Sequence, residues 1–93
     1  MLKDVIEVRP LADYRLFLRF EDGVEGAVDV ASLVEFTGVF ALLKQRREFA
    51  RVRVHRELGT VVWPNGADLD PDVLYAKVTG RPVSVDDPAE RAS

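Results

Sequence analysis

The segment that most constrains the fold is "YRLFLRFEDGVEGAVDV", residues 14–30. In its first half, apolar side chains stand at every second position, namely Tyr14, Leu16, Leu18 and Phe20. Such alternation is typical of a β-strand with one buried face. The Asp22-Gly23 pair that follows favours a tight reversal of the chain. The segment therefore predicts a β-hairpin.

The length of the loop decides which side chains of this hairpin face each other. A two-residue loop at Asp22-Gly23 would place Phe20 opposite Glu25, so that apolar and charged side chains would share one face of the hairpin. A three-residue loop, residues 21–23 with Gly23 left-handed, gives one apolar face and charged pairs of opposite sign. Its pairs are Phe20 with Val24, Leu18 with Gly26, Leu16 with Val28, Tyr14 with Val30, Arg19 with Glu25, and Arg15 with Asp29. We predict this second register.

Two further segments have strand patterns. "DVIEVRP", residues 4–10, predicts a short strand that Pro10 ends, because proline has no backbone N–H to donate. "ARVRVHRELGTVVW", residues 50–63, is rich in β-branched residues and predicts two strands with Gly59 at the reversal between them. The sequence does not fix the register of this second hairpin.

The chain between the two hairpins has helical spacing. "ASLVEFT", residues 31–37, predicts a short helical turn. Around "GVFALLKQRREF", residues 38–49, apolar side chains recur every three or four positions, as one face of a helix requires. They are Phe36, Val39, Phe40 and Leu43. We predict a helix that buries these four side chains, with Thr37 as its N-cap.

The segment "TVVWPNGADLDPDVLY", residues 60–75, has the pattern of a strand that leads into a helix. Pro64 ends the strand, and Asn65-Gly66 is a pair that favours positive backbone φ. Asp70 followed by Pro71 is typical of an N-cap and the first helical residue. Gly80 can end the helix.

These elements together predict an α+β fold. We expect an antiparallel β-sheet, made of a three-stranded meander plus a β-hairpin, with two main helices. The chain has 93 residues, enough for one small domain, to which we assign residues 1–83. Residues 84–93 are predicted to be a polar, frayed C-terminal tail.

The composition excludes several kinds of site. The chain has no cysteine, which excludes disulfides, thiolate catalysis and zinc sites built from cysteine, and a lone histidine, His55, which excludes a histidine-rich metal site. We predict that His55 is a solvent-facing strand residue. Asp68, Asp70 and Asp72 imitate the start of a calcium loop, but the glycine and glutamate that such a loop needs later are absent. Helix capping is favoured over a weak magnesium site, and we expect no cofactor and no enzyme activity.

The N-terminal residues do not resemble a targeting segment. "MLKDVIEVRPL" has four charged residues where a signal peptide needs an apolar core. No stretch of the sequence approaches the roughly 18 apolar residues of a membrane-spanning helix. We expect a cytoplasmic protein without a membrane partner.

Charge is unevenly distributed along the chain. Residues 44–56, called the basic segment below, have six basic residues against one glutamate, while the whole chain has a net charge of −3. This polarity favours a complementary macromolecular partner or association between copies of the chain. Nucleic-acid domains usually have an overall basic excess, which this chain lacks.

Three stretches resemble the bacterial domain of unknown function 2442 family: "DYRLFLRFEDGVEGAVDV", "GVFALLKQRREFARVRV" and "GTVVWPNGADLDPDVLY". The resemblance covers nearly the whole chain, and its most specific element is WPNG-x-DLDP-x-x-LY. The residues of this element, to which we assign mainly structural roles, are Trp63, Pro64, Asn65, Gly66, Asp68, Asp70, Pro71 and Tyr75. The resemblance implies a small α+β domain with no established enzymatic activity. It also implies a partner, since family members look like partners of a small protein of the domain of unknown function 4160 type in suspected toxin–antitoxin gene pairs.

The favoured function is a non-enzymatic protein-interaction module, such as the antitoxin-like member of a two-gene pair. Its partner would be the neighbouring gene's product or a second copy of the chain. The candidate partner-binding residues, on the outer sheet face or in the basic segment, are Arg15, Phe17, Arg19, Arg46, Arg47, Arg51 and Arg53. The alternative is a nucleic-acid-associated regulator that uses the basic segment on phosphates.

Overall fold

The computed structural model describes residues 3–80, which have the predicted α+β class. The strands are β1 Val5–Leu11, β2 Arg15–Phe20, β3 Glu25–Asp29, β4 Arg53–His55 and β5 Thr60–Val62. The α-helices are α1 Arg46–Phe49 and α2 Pro71–Thr79, and 3-10 helices span Ala12–Tyr14, Val30–Ser32 and Gly38–Lys44. Strands β1, β2 and β3 form an antiparallel meander, and β4 pairs with β5 in a separate hairpin. The expected domain end at residue 83 and the tail 84–93 lie outside the described residues.

The predicted register of the first hairpin is confirmed. Gly23 has φ +90°, and its N–H donates to the Phe20 carbonyl at 2.9 Å. The observed pairs are Leu16 with Val28, Leu18 with Gly26, Arg19 with Glu25, and Arg15 with Asp29. The expected strand pair of Tyr14 with Val30 is wrong, because both residues lie in 3-10 turns just beyond the strand ends.

Pro10 does not end the first strand, contrary to the prediction. Strand β1 continues through Pro10, which lies opposite Leu16, to Leu11. It is an edge strand of the three-stranded sheet, with β2 at the centre. An edge strand accepts proline because the missing N–H can point away from the paired strand.

The core lies between the inner face of this sheet and the rest of the chain. The residues under 5 % exposed include Val5, Leu16, Leu18, Phe20, Val28, Val30, Leu43, Phe49, Val61, Trp63 and Leu74. Helix α2 packs close to β3, so that a Cβ added to Gly26 would lie 3.1 Å from Val78. Tyr75 of α2 packs edge-on against Phe20, with 4.9 Å between ring centroids.

The second hairpin reverses at Gly59, as predicted. Gly59 has φ +68°, and the hairpin pairs Val54 with Val61 and His55 with Thr60. The Val5 N–H donates to the Gly59 carbonyl at 2.9 Å. The turn between β4 and β5 is thereby joined to the start of the three-stranded sheet.

The predicted helix over residues 38–49 is divided into a 3-10 helix, Gly38–Lys44, and the short α1. A 3-10 helix has three residues per turn, so residues three apart lie on one line. Phe40 and Leu43 form the inward line, whereas Val39 is 48 % exposed and its expected burial is wrong. Thr37 occupies the N-cap position, but its side chain makes no capping hydrogen bond.

The predicted caps of α2 are confirmed. The Asp70 carboxylate accepts a hydrogen bond from the Asp72 N–H at 2.9 Å, and Pro71 is the first helical residue. Gly80 has φ +74° and ends the helix by donating its N–H to the Ala76 carbonyl. None of the helices within residues 3–80 has the length and apolar character needed to cross a bilayer.

Candidate functional site

Trp63 of the WPNG motif joins two parts of the fold. Its side chain is 2 % exposed, and the indole Nε1–H donates to the Phe49 carbonyl at 2.8 Å. The two rings also pack together, with centroids 5.8 Å apart. Because Phe49 is the last residue of α1, Trp63 fixes the end of that helix against β5.

Asn65 of the same motif fixes a second point of this region. Its side-chain Nδ2 donates to the Val39 carbonyl at 2.8 Å, and its Oδ1 accepts from the Ala67 N–H at 3.1 Å. Gly66 has φ +92° and donates its N–H to the Trp63 carbonyl, which closes the turn. The turn thus presents the Asn65 amide to the 3-10 helix.

Tyr14 supplies a third contact of the same kind. Its hydroxyl donates to the Lys44 carbonyl, and its ring packs against Phe36 at 5.1 Å and Phe49 at 5.4 Å. Residues 38–49 are therefore held at three main-chain carbonyls, those of Val39, Lys44 and Phe49, by side chains distant in sequence. We call residues 38–49 the anchored segment.

The other residues of the family motif have structural positions as well. Asp70 and Pro71 start α2, Asp68 makes an isolated β-bridge with Val62, and Pro64 is exposed in the turn.

The remaining motif residue, Tyr75, connects α2 to the first hairpin. Its hydroxyl donates to Asp22 Oδ2 at 2.6 Å. This hydrogen bond is the main cause that lowers the pKa of the Asp22 carboxyl below its usual value.

Arg19, predicted to lie on the outer sheet face, is neutralised there. Its guanidinium lies 3.0 Å from the Glu7 carboxylate on β1 and 2.9 Å from the Glu25 carboxylate on β3. The hydrogen bond that Arg19 donates to Glu25, together with the charges of Glu7 and Glu25, raises the pKa of Arg19. Arg19 therefore ties three strands together and offers little free charge to a partner.

The other two candidates on this face, Arg15 and Phe17, are also engaged. Phe17 is half-buried, and the Arg9 guanidinium lies 4.4 Å from its ring centroid. Arg15 is opposite Asp29, but its Nε donates to the Ala12 carbonyl at 3.2 Å and no ion pair forms with that aspartate. Phe17 is therefore partly covered by the Arg9 side chain on the outer sheet face.

The basic segment has more unpaired charges among the described residues than the sheet face, where Arg9 and Arg19 are paired with glutamates and only Arg15 is not. All six of its cationic side chains are exposed: Lys44, Arg46, Arg47, Arg51, Arg53 and Arg56. Within the part of the chain that the structure describes, only Arg51 forms an ion pair, at 3.3 Å from Glu48. Lys44 lies in the 3-10 helix, Arg46 and Arg47 in α1, and Arg53 in β4, so four of the six charges lie on regular secondary structure.

His55 and the aspartates have local structural partners. His55 is half-buried rather than fully solvent-facing, and its Nδ1 accepts the Leu58 N–H at 3.2 Å. Within residues 3–80, no three His, Cys, Asp or Glu side chains are grouped as a metal ion would require. A cleft of about 190 Å³ beside Asp68 and Asp70 is lined mainly by apolar side chains.

Two residues of functional interest were missed in the sequence, Val39 and Leu42, which are 48 % and 40 % exposed. Their spacing of three residues is compatible with either helix type, and the sequence pattern does not say which line of side chains faces outward. Tyr14 was expected to be a strand residue. Instead, its hydroxyl holds the anchored segment, residues 38–49, at the Lys44 carbonyl.

A comparison with family models identifies the chain. The model of the proteins of unknown function called DUF2442 matches residues 5–80. The chain belongs to the DUF2442 family. The DUF2442 match includes the WPNG turn, the anchored segment and the basic segment. No curated protein and no solved structure matches the chain.

Proposed function

We propose that this DUF2442 domain is a non-enzymatic protein-interaction module that binds a partner protein through its basic segment. The observation that carries the proposal is the contrast between two exposed surfaces. Among the described residues, two of the three arginines on the sheet face, Arg9 and Arg19, are paired with glutamates, whereas five of the six cations in residues 44–56 have no ion pair. Free exposed charges steer association with a complementary surface.

The rigidity of the surface also supports the proposal. Three hydrogen bonds hold the main chain around Lys44, Arg46 and Arg47, so a partner meets charges on an ordered backbone. A preorganised surface loses less conformational freedom on binding. The family resemblance points to a paired gene product, and we propose that the domain is the antitoxin-like member of such a pair.

Co-purification with the neighbouring gene's product tests this function. Arg46→Glu combined with Arg53→Glu is expected to slow association and to reduce its dependence on salt, with little change in the thermal melt. Arg9→Glu combined with Arg15→Glu is the matched control, because it makes the same charge change on the outer sheet face. Loss of binding in the control alone would move the interface to that face, with Phe17→Ala as the next variant. The absence of any complex would contradict the proposal.

A nucleic-acid-associated regulator is the second candidate. Within residues 3–80 the guanidinium groups of Arg46, Arg47 and Arg53 make no ion pair, which favours this candidate, since arginine binds phosphate oxygens well. The net charge of −3 favours a protein instead. Titration with duplex DNA at two salt concentrations separates the two candidates, and tight, salt-sensitive DNA binding without a protein partner would establish the second.

A further inference from the structure

The 3-10 helix presents an exposed apolar ridge next to the free cations. Val39 and Leu42 are 48 % and 40 % exposed, and they lie three residues apart. Because residues three apart are eclipsed in a 3-10 helix, the two side chains form one continuous ridge. The other large apolar side chains exposed within residues 3–80, Ile6, Leu11 and Leu58, stand singly in the sequence.

The main chain holds this ridge in place. The Val39 carbonyl accepts the Asn65 side-chain amide at 2.8 Å, and the Leu42 carbonyl accepts the Gln45 N–H at 3.1 Å. The WPNG turn, whose conformation depends on Gly66 at φ +92°, therefore fixes the position of an exposed surface as well as the core. A partner that covers the ridge need not order it first.

Positive charge lies at one end of the ridge. Lys44, Arg46 and Arg47 follow Leu42 within five residues, and each is exposed. None of these three side chains makes an ion pair among the described residues. The surface thus combines two aliphatic side chains with three available cations.

We infer that the ridge and these cations bind an acidic segment of a partner protein that carries apolar side chains among its carboxylates. The inference rests on the proposed function and names the chemistry of the partner. Complementary charge requires carboxylates opposite Lys44, Arg46 and Arg47, while removal of Val39 and Leu42 from water requires apolar groups beside them. An anionic membrane is a poorer fit, because two aliphatic side chains offer little surface for insertion.

Two synthetic peptides test the inference. They have the same length and the same glutamate positions, but one has leucines and the other serines between the glutamates. We expect the leucine peptide to bind the full chain about ten-fold more tightly, because it alone buries the ridge. Backbone amide shifts in NMR are expected to change in residues 38–47 and not on the outer sheet face.

Variants separate this inference from the proposed function. Val39→Ser with Leu42→Ser is expected to remove the preference for the leucine peptide, and Leu42→Ser alone to reduce it. Leu58→Ser, at a leucine of comparable exposure outside the ridge, is expected to leave the preference intact. If both peptides bind equally and this binding is lost in Arg46→Glu with Arg47→Glu, the ridge inference is overturned, while the proposed binding through the basic segment is retained. Peptide binding that changes neither in the ridge variants nor in the arginine variants would overturn both the ridge inference and the proposed function. Tighter binding to phosphatidylglycerol vesicles than to the leucine peptide would replace the acidic segment by a membrane surface.

Discussion

Trp63→Phe tests whether the WPNG motif is part of the architecture rather than a binding site. The substitution keeps an aromatic ring in the core but removes the indole N–H that donates to the Phe49 carbonyl at 2.8 Å. The Phe49 carbonyl then keeps only the longer hydrogen bond from the Val52 N–H at 3.4 Å, and loss of the shorter, buried hydrogen bond costs ~1–3 kcal/mol. The smaller ring leaves a cavity at a side chain that is 2 % exposed, which costs a further ~1 kcal/mol.

The expected loss of stability is therefore ~2–4 kcal/mol, which lowers the melting temperature of a domain of this size by roughly 10 to 30 °C. Urea and thermal unfolding should be followed by circular dichroism, because Trp63 is the only tryptophan and its fluorescence disappears in the variant.

Tyr14→Phe is the matched comparison for Trp63→Phe. It removes the hydroxyl donor to the Lys44 carbonyl, which is more accessible to water, and is expected to cost only ~0.5–1.5 kcal/mol. Equal effects of the two substitutions would refute the argument that burial makes the Trp63 hydrogen bond the stronger anchor. A Trp63→Phe domain with unchanged stability and lost partner binding would make Trp63 a site residue.

Three further substitutions test local features of the fold. Asp70→Ala should lower stability by ~1 kcal/mol through loss of the helix cap, whereas Asp68→Ala, a nearby exposed aspartate without a capping role, should stay within ~0.5 kcal/mol. Equal thermal melts for these two variants would contradict the capping role. Gly23→Val should cost ~1–2 kcal/mol in urea unfolding because of the positive φ, and Gly23→Asn should cost less. Tyr75→Phe should destabilise most near neutral pH: the folded-state pKa of Asp22 is lowered, so its contribution is present above the unfolded-state pKa and is lost as the pH falls through the folded-state value. A difference from the parent that stays constant from neutral to acidic pH would show that the Asp22 hydrogen bond is not responsible.

The elements that the sequence predicted well depend on neighbours in the chain. The register of the first hairpin follows from alternation, the opposite charges of Arg19 and Glu25, and one glycine able to take positive φ, all within 17 residues. The caps of α2 follow from Asp70, Pro71 and Gly80 for the same reason. Local steric and hydrogen-bonding preferences suffice to select these conformations.

The candidate site was only partly predictable. The excess of positive charge in residues 44–56 is visible in the sequence, but which charges remain free is not. Arg19 was matched with Glu25 correctly, whereas its second partner, Glu7, depends on the register of β1 against β2. That register passes through the tight turn at Ala12–Tyr14, where Asp13 and Tyr14 have positive φ that no local pattern indicated.

The sequence by itself determined the hairpin register, the helix caps and the position of the basic segment, whereas the tertiary structure decided how residues 38–49 are wound and what they expose. Spacings of three and four residues fit an α-helix as well as a 3-10 helix. Asn65, Tyr14 and Trp63 contact this segment from 26, 30 and 14 residues away, at the carbonyls of Val39, Lys44 and Phe49. A pattern within the segment cannot encode donors that reach it only after the chain has folded, so the exposure of Val39 and Leu42 is a property of the whole domain.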